Sequence, residues 1–197
     1  MNYPKGVKQN NNNSYIRYDN RGMGLESDIN ITNQYYIDNG IAYIYKKPTP
    51  IQVTKVDYKN NSIIIKEGFF KEPSTTDYNG LYNGHYIDFE AKETTNSTSF
   101  PLANIHNHQI IHIKNIINNG GIGFVIVRFT KLNKTFILMG KDLIDFVEKN
   151  ERKSIPFSYF CDKGFIVNDG FVPRLDYLKV IENILGGSEY GQKKEEK

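Results

Sequence analysis

A mixed β-sheet with helices packed on it, α/β or α+β, is the fold class this sequence predicts. Three observations carry it. The periodic segments run helix, strands, helix, strand, strand, helix, helix, with no internal repeat. The apolar run Ile122 to Phe129 (IGFVIVRF) fits a strand covered on both faces. The stretch Tyr86 to Lys92 alternates: Ile87, Phe89 and Ala91 point to a core, and Asp88, Glu90 and Lys92 share the other face. The 197 residues suffice for one domain with a real core, and 39% apolar with 24% charged content suits a globular chain.

Taken in order, residues 1 to about 20 are polar and Asn-rich without apolar period, and read as a disordered arm. From Gly22 a helix is predicted. Leu25, Ile29 and Tyr36 fall on one face, Glu26, Asn30 and Asn33 on a neighbouring one, and Asp38-Asn39-Gly40 closes it. Ile41 to Tyr45 is a short strand, broken by Lys46-Lys47-Pro48-Thr49-Pro50. Two strand-like runs, Ile51 to Tyr58 and Ser62 to Glu67, meet at a Lys59-Asn60-Asn61 turn as a hairpin. Between Lys46 and Lys71 the lysines are Lys46, Lys47, Lys55, Lys59, Lys66 and Lys71, against Asp57 and Glu67. That local surplus exceeds the +3 of the whole chain, which is too small by itself to establish a nucleic-acid partner. Tyr58, Phe69 and Phe70 interleave with the lysines, which suits phosphate contact with stacking on unpaired bases; lysines also blunt ordinary exposed strand edges.

Further on, Leu102 to Asn118 reads as a helix ended by Gly120-Gly121, Thr135 to Met139 as a strand, and Asp142 to Lys149 as a short amphipathic helix. A last helix starts at Pro173, and a charged, flexible tail runs from Gly186. A single cysteine, Cys161, excludes an internal disulfide and a Cys-based zinc cluster; among Phe157, Tyr159 and Phe160 it reads as a buried small hydrophobe. No apolar run reaches about 18 residues and no charged-then-apolar leader opens the chain, so a cytosolic protein is expected.

The chemistry concentrates in Ser74 to Thr94. Asp77 is expected just before an Asn79-Gly80 turn, and Glu90-Ala91-Lys92 follows thirteen residues later. An Asp followed by Glu-x-Lys on a strand is the pattern of a metal-dependent nuclease core. Phosphodiester hydrolysis needs an activated water and stabilised negative charge, and a divalent metal on hard oxygen ligands supplies both. Asp77 and Glu90 are the two carboxylates. Lys92, two residues on, brings an ammonium to the same face to orient the water or neutralise phosphorus, and Asp88 is a reserve ligand or supporting group. The pattern alone is short, and a strand with a solvated polar face shows it too. In the following helix, His108 and His112 have zinc-ligand spacing, but Gln109 stands where a zinc protease has its Glu. Gln109 is the better candidate for positioning a metal or its water.

Seven ordered motifs then carry a resemblance: NRGMGLESDIN at Asn20 to Asn30, KKPTPIQ at Lys46 to Gln52, STTDYNG at Ser74 to Gly80, YIDFEAKET at Tyr86 to Thr94, SFPL at Ser99 to Leu102, HNHQI at His106 to Ile110 and PRLDYL at Pro173 to Leu178. Together they resemble the RecU-type Holliday-junction resolvases of bacteria over residues 20 to 180. The resemblance implies a restriction-endonuclease-like core, one nuclease domain over 21–185 with a stalk hairpin inserted at 46–73, a homodimer, Mg²⁺ with Mn²⁺ as substitute, and paired nicks across four-way junction DNA. It implies Thr75, Asp77, Glu90 and Gln109 as metal-site positions, Lys92 as the transition-state-stabilising lysine, and Glu26 with Asp88 in support. The stalk lysines, Phe69, Phe70 and Arg21 are the DNA-binding candidates. Recombinase and branch-migration proteins are further expected partners, in a cytoplasmic, nucleoid-associated setting. The chain departs from the family in its less basic N-terminal arm and in a hairpin tip without arginine. Two other readings stay open at this level: a nuclease of the same core acting on other DNA, and a junction-binding regulator whose cutting site is vestigial.

Overall fold

The computed structural model describes residues 24–59, 62–70 and 75–186. The expected N-terminal arm, Arg21, the hairpin tip, Lys71 and the charged tail lie outside the described residues, as does the Lys59 side chain. The first helix, α1 (Leu25–Asp38), begins three residues later than its periodicity suggests, and Leu25, Ile29 and Tyr36 are buried together as predicted. Its N-cap is Gly24, which has no side chain to cap with. The Glu93 carboxylate accepts the Leu25 N–H at 3.0 Å instead, placing negative charge at the positive end of the helix. Gly40, at φ +64°, turns the chain away from its C-terminus.

Strand β1 (Tyr43–Lys46) follows, and then β2 (Ile51–Lys59) pairs with β3 (Ser62–Phe70) in a two-stranded sheet of their own, with a bulge around Lys55. β3 runs three residues further than its sequence pattern suggests, because Gly68, Phe69 and Phe70 continue the ladder opposite Val53, Gln52 and Ile51. β4 (Tyr78–Tyr82) and β5 (His85–Thr94) form a hairpin whose turn is Asn83-Gly84, both at positive φ as a tight two-residue turn requires. The expected turn at Asn79-Gly80 is therefore corrected. Of the two Asn-Gly pairs in NGLYNG, the first lies inside β4, where a Cβ on Gly80 would overlap the Tyr43 carbonyl oxygen of β1. That glycine serves a close strand approach, not a reversal.

The short strand β6 (Ser99–Pro101) leads through a single 3₁₀ turn to α2 (Asn107–Asn118). The helix expected from Leu102 is thus corrected to a later start. Leu102 bonds back to the Lys153 carbonyl and Ile105 is extended, and a reciprocal His106–Gln109 capping box starts the helix afresh. β7 (Ile122–Phe129) and β8 (Lys134–Met139) precede α3 (Gly140–Lys149), β9 (Ser154–Pro156), α4 (Phe157–Lys163), β10 (Phe165–Val167) and α5 (Tyr177–Gly186). The last helix does not begin at Pro173. Leu175 bridges Asp169, and Gly170 bonds the Arg174 carbonyl, so this stretch is a pinned loop. Cys161 is exposed, not buried: it is one residue, and so about 100° around α4, from Phe160, which takes the core position.

Six strands form one mixed sheet in the order β1-β4-β5-β7-β8-β10, antiparallel except for β5 beside β7. On one face α1 and α5 pack, and Tyr78, Phe89 and Phe124 stack with centroids 4.9 and 4.8 Å apart. On the other, Ile113 of α2, Leu143 and Phe146 of α3 and Phe160 of α4 meet Val125, Val127, Phe136 and Leu138. β7 feeds both layers, with Phe124 and Ile126 in the first and Val125, Val127 and Phe129 in the second, which is why its sequence is apolar throughout. On β5, Ile87, Phe89 and Ala91 go to the α1 layer. Tyr86, Asp88, Glu90 and Lys92 therefore turn towards α2.

Candidate functional site

Glu90 is fully buried in the middle of that polar face. Its Oε2 accepts the Asp77 N–H at 3.1 Å, and the Asp77 carboxyl comes within hydrogen-bonding reach of it. The Lys92 Nζ stands 2.5 Å from the buried Oε1, a close ammonium–carboxylate ion pair. Burial first, and then the neighbouring Asp77 carboxyl, push the Glu90 carboxyl up to about 8, with Lys92 opposing them in part. Two carboxyls drawn together beside one ammonium form a compact cluster of oxygen donors. Its hard oxygen donors fit Mg²⁺ or Mn²⁺, which take few ligands from protein. Among the described residues no cluster of three His, Cys, Asp or Glu could hold a metal.

Thr75 lies two residues before Asp77, half-buried, with its hydroxyl donating weakly to the Thr76 carbonyl at 3.3 Å. Gln109 is buried in the first turn of α2, and its Oε1 accepts the His106 N–H at 2.9 Å. Because β5 and β7 are parallel, the connecting helix α2 runs back against them. His112 of α2 touches Asp88, its Nε2 3.2 Å from Oδ2. Gln109, one turn nearer the N-terminus of α2, therefore lies at about the level of Glu90, two residues further along β5. His112 is committed to Asp88, while His108 stacks on His106, so the two do not form a zinc pair. Glu26 is exposed and pairs with Lys46 at 2.5 Å, and with Asp77 and Glu90 it surrounds the buried Tyr78 phenol, whose pKa burial and these three charges raise.

Asp88 has a different environment from Asp77. It is fully buried, Oδ1 accepts from the Thr76 hydroxyl, and Oδ2 accepts from the Lys47 Nζ at 2.7 Å, the Tyr86 hydroxyl at 3.0 Å and the His112 Nε2 at 3.2 Å. Three of these four groups crowd Oδ2 and one meets Oδ1, so both oxygens are engaged by the protein. Asp88 is thus the more crowded carboxylate, whereas Glu90 has the Asp77 N–H on Oε2 and the Lys92 ammonium beside Oε1.

The hairpin carries its lysines as exposed pairs, Lys55 with Glu67 at 3.5 Å and Lys66 with Asp57 at 3.0 Å, weak enough to open towards phosphate. At the root of the hairpin Phe69 and Phe70 are 65% and 77% exposed, and towards its tip Tyr58, Ile63 and Ile65 are exposed as well. Lys47 differs from these lysines: its ammonium is turned inward to Asp88 and Thr76.

Sequence reasoning passed over Thr76, Tyr86 and the inward turn of Lys47. Tyr86 could have been found, since it shares the period-two face of Asp88, Glu90 and Lys92. It also passed over Arg128, which donates to Asp28 at 2.7 Å, Thr135 at 3.0 Å and Asp169 at 3.3 Å. With Asp28 and Arg128 one hundred residues apart, no local pattern signals that network.

The sequence matches the family model of recombination protein U, RecU, over residues 20–183. It is 53% identical to a Holliday junction resolvase RecU of a Geobacillus species over 85% of both chains. It is 53% identical to that of Pediococcus pentosaceus over 85% of this chain and 86% of the relative, and 48% identical to that of Geobacillus kaustophilus over 93% and 97%.

Proposed function

The chain belongs to the RecU family of recombination proteins, and on that footing we propose that its Asp77–Glu90–Lys92 face is the cutting site of a junction-resolving endonuclease. The protein resolves Holliday junctions in homologous recombination and DNA repair. The observation that supports this site is the fully buried Glu90 carboxyl, held between the Asp77 carboxyl and the Lys92 ammonium. Asp77 and Glu90 hold a divalent ion there, Mg²⁺ with Mn²⁺ as substitute, and Thr75 and Gln109 contribute neutral oxygens. Bound in that cradle, the ion supplies a nucleophilic water and offsets charge on the scissile phosphate. Lys92 orients the attacking water and neutralises charge as it develops on phosphorus. Glu26 adds negative potential at the rim.

The β2–β3 hairpin is the stalk that enters the junction, its lysines on phosphates and its Phe69 and Phe70 against unpaired bases. One nuclease domain over 21–185 carries the stalk. A homodimer supplies the second site that opposed nicks require, and its two-fold axis matches that of the junction. Such a substrate belongs to the cytoplasm. No helix among the described residues is long and apolar enough to cross a membrane.

The test is purified protein with an end-labelled four-way junction and the matching linear duplex, in Mg²⁺, Mn²⁺ or chelator. Metal-dependent symmetric nicks in the junction are expected, with Asp77→Asn binding the junction but leaving it intact. Duplex cut as fast as junction would remove the junction selectivity, and cleavage by Asp77→Asn at the wild-type rate would remove the site.

A further inference from the structure

Asp88 is the best-connected side chain of the polar face and makes no contact that cleavage needs directly. Its Oδ1 holds the hydroxyl of Thr76, the residue between Thr75 and Asp77. Its Oδ2 holds the ammonium of Lys47, which also donates to the Thr76 Oγ at 3.0 Å. The Lys47 backbone N–H in turn donates to the Asp77 carbonyl at 2.7 Å. Lys47 and Thr75 are the residues on either side of the segment that contains the β2–β3 hairpin, so both roots of that hairpin converge on one buried carboxylate. Tyr86 and His112 hold the carboxylate from β5 and α2.

We propose that Asp88 is a positioning residue, not a metal ligand: it clasps Lys47 to Thr76 and so sets the Thr75–Asp77 segment, and with it the hairpin, in register with Glu90. The inference rests on the reading of Asp77 and Glu90 as ligands of a divalent cation. It follows that side chains which touch neither metal nor DNA govern metal affinity, because an unclasped Thr75–Asp77 segment presents Asp77 to Glu90 only part of the time. Loss of an outer partner of this kind costs roughly ten- to a hundred-fold in metal affinity.

The experiment measures Mn²⁺ binding to the DNA-free protein by electron paramagnetic resonance, beside kcat and KM on a four-way junction, for Thr76→Val, Thr76→Ser, Lys47→Met and Thr76→Val with Lys47→Met. Thr76→Val keeps the shape and removes the hydroxyl. About tenfold weaker Mn²⁺ binding is expected for it and for Lys47→Met, with kcat lowered and the KM for junction unmoved for Thr76→Val. Thr76→Ser, which restores the hydroxyl, recovers most of both losses. The double variant loses less than the product of the single effects, because both act through Asp88. Mn²⁺ affinity within twofold of wild type in folded Thr76→Val and Lys47→Met overturns the proposal. If Thr76→Val does not fold, Lys47→Met and the Thr76→Ser comparison decide it on the same readout. Wild-type protein that binds Mn²⁺ but cuts no junction would sink the functional reading alone, since the Mn²⁺ affinities judge the clasp independently.

Discussion

Glu90 and Asp88 are two residues apart on one strand face, and their surroundings differ. Glu90 meets the Asp77 N–H and the Lys92 ammonium; Asp88 is engaged by Lys47, Thr76, Tyr86 and His112. Alternation placed both on that face, along with Lys92, but could not rank them, because their surroundings depend on Lys47 just after β1, on His112 of α2 and on the Thr75–Asp77 segment. The Glu90 environment makes a pH prediction. In the metal-free fold its carboxyl titrates at about 8, against 4.5 ordinarily. The fold therefore retains a proton that the unfolded chain releases, and this contribution to stability is complete below about 4.5 and lost as pH rises through about 8. Melting in chelator should show a fall across that window that Glu90→Gln flattens, and Mn²⁺ should restore stability at the alkaline end as it displaces the proton. Lys92→Ala should lower kcat by about a hundred-fold or more while junction affinity stays within a few-fold, checked by single-turnover cleavage beside gel-shift binding.

The β4–β5 hairpin sets the spacing of Asp77 and Glu90, and it depends on two glycines that look alike in sequence. Gly80→Ala drives a methyl group into the β1 backbone, while Gly84→Ala only strains a turn at positive φ. The first should prevent or severely weaken folding. The second should cost about 1 kcal/mol, read from urea unfolding. Among the described residues β2 and β3 pair only with each other, so replacing residues 51–70 by a short Gly-Ser link should leave cooperative melting in place. The same excision should weaken junction binding by roughly tenfold or more, measured at one fixed salt concentration. Strong periodicity made β5, β7 and α1 legible. Element starts were less so: α2 waits for the His106–Gln109 capping box, and α5 waits until the loop pinned by Arg174 and Leu175 is complete, so neither begins where its apolar period begins.

Across the whole molecule, the two ends of the described chain are joined by charge. Asp28 of α1 is buried between Arg128 of β7 and Arg174 of the segment before α5, while the Thr32 hydroxyl accepts the Leu175 N–H. Arg128→Ala leaves Asp28 buried and short of its main partner, and should cost about 3–5 kcal/mol by chemical denaturation, with cleavage per folded molecule little changed. Residue order alone carried the mixed sheet, the two-sided burial of β7 and the convergence of Asp77, Glu90 and Lys92, because periods of two and 3.6 and short spacings are local properties of a chain. Tertiary structure decided which carboxylate is crowded by neighbours, which lysine turns inward and which Asn-Gly pair reverses the chain. Each of those outcomes depends on atoms that the fold brings in, some from as far as 41 positions away, and no local pattern records their arrival.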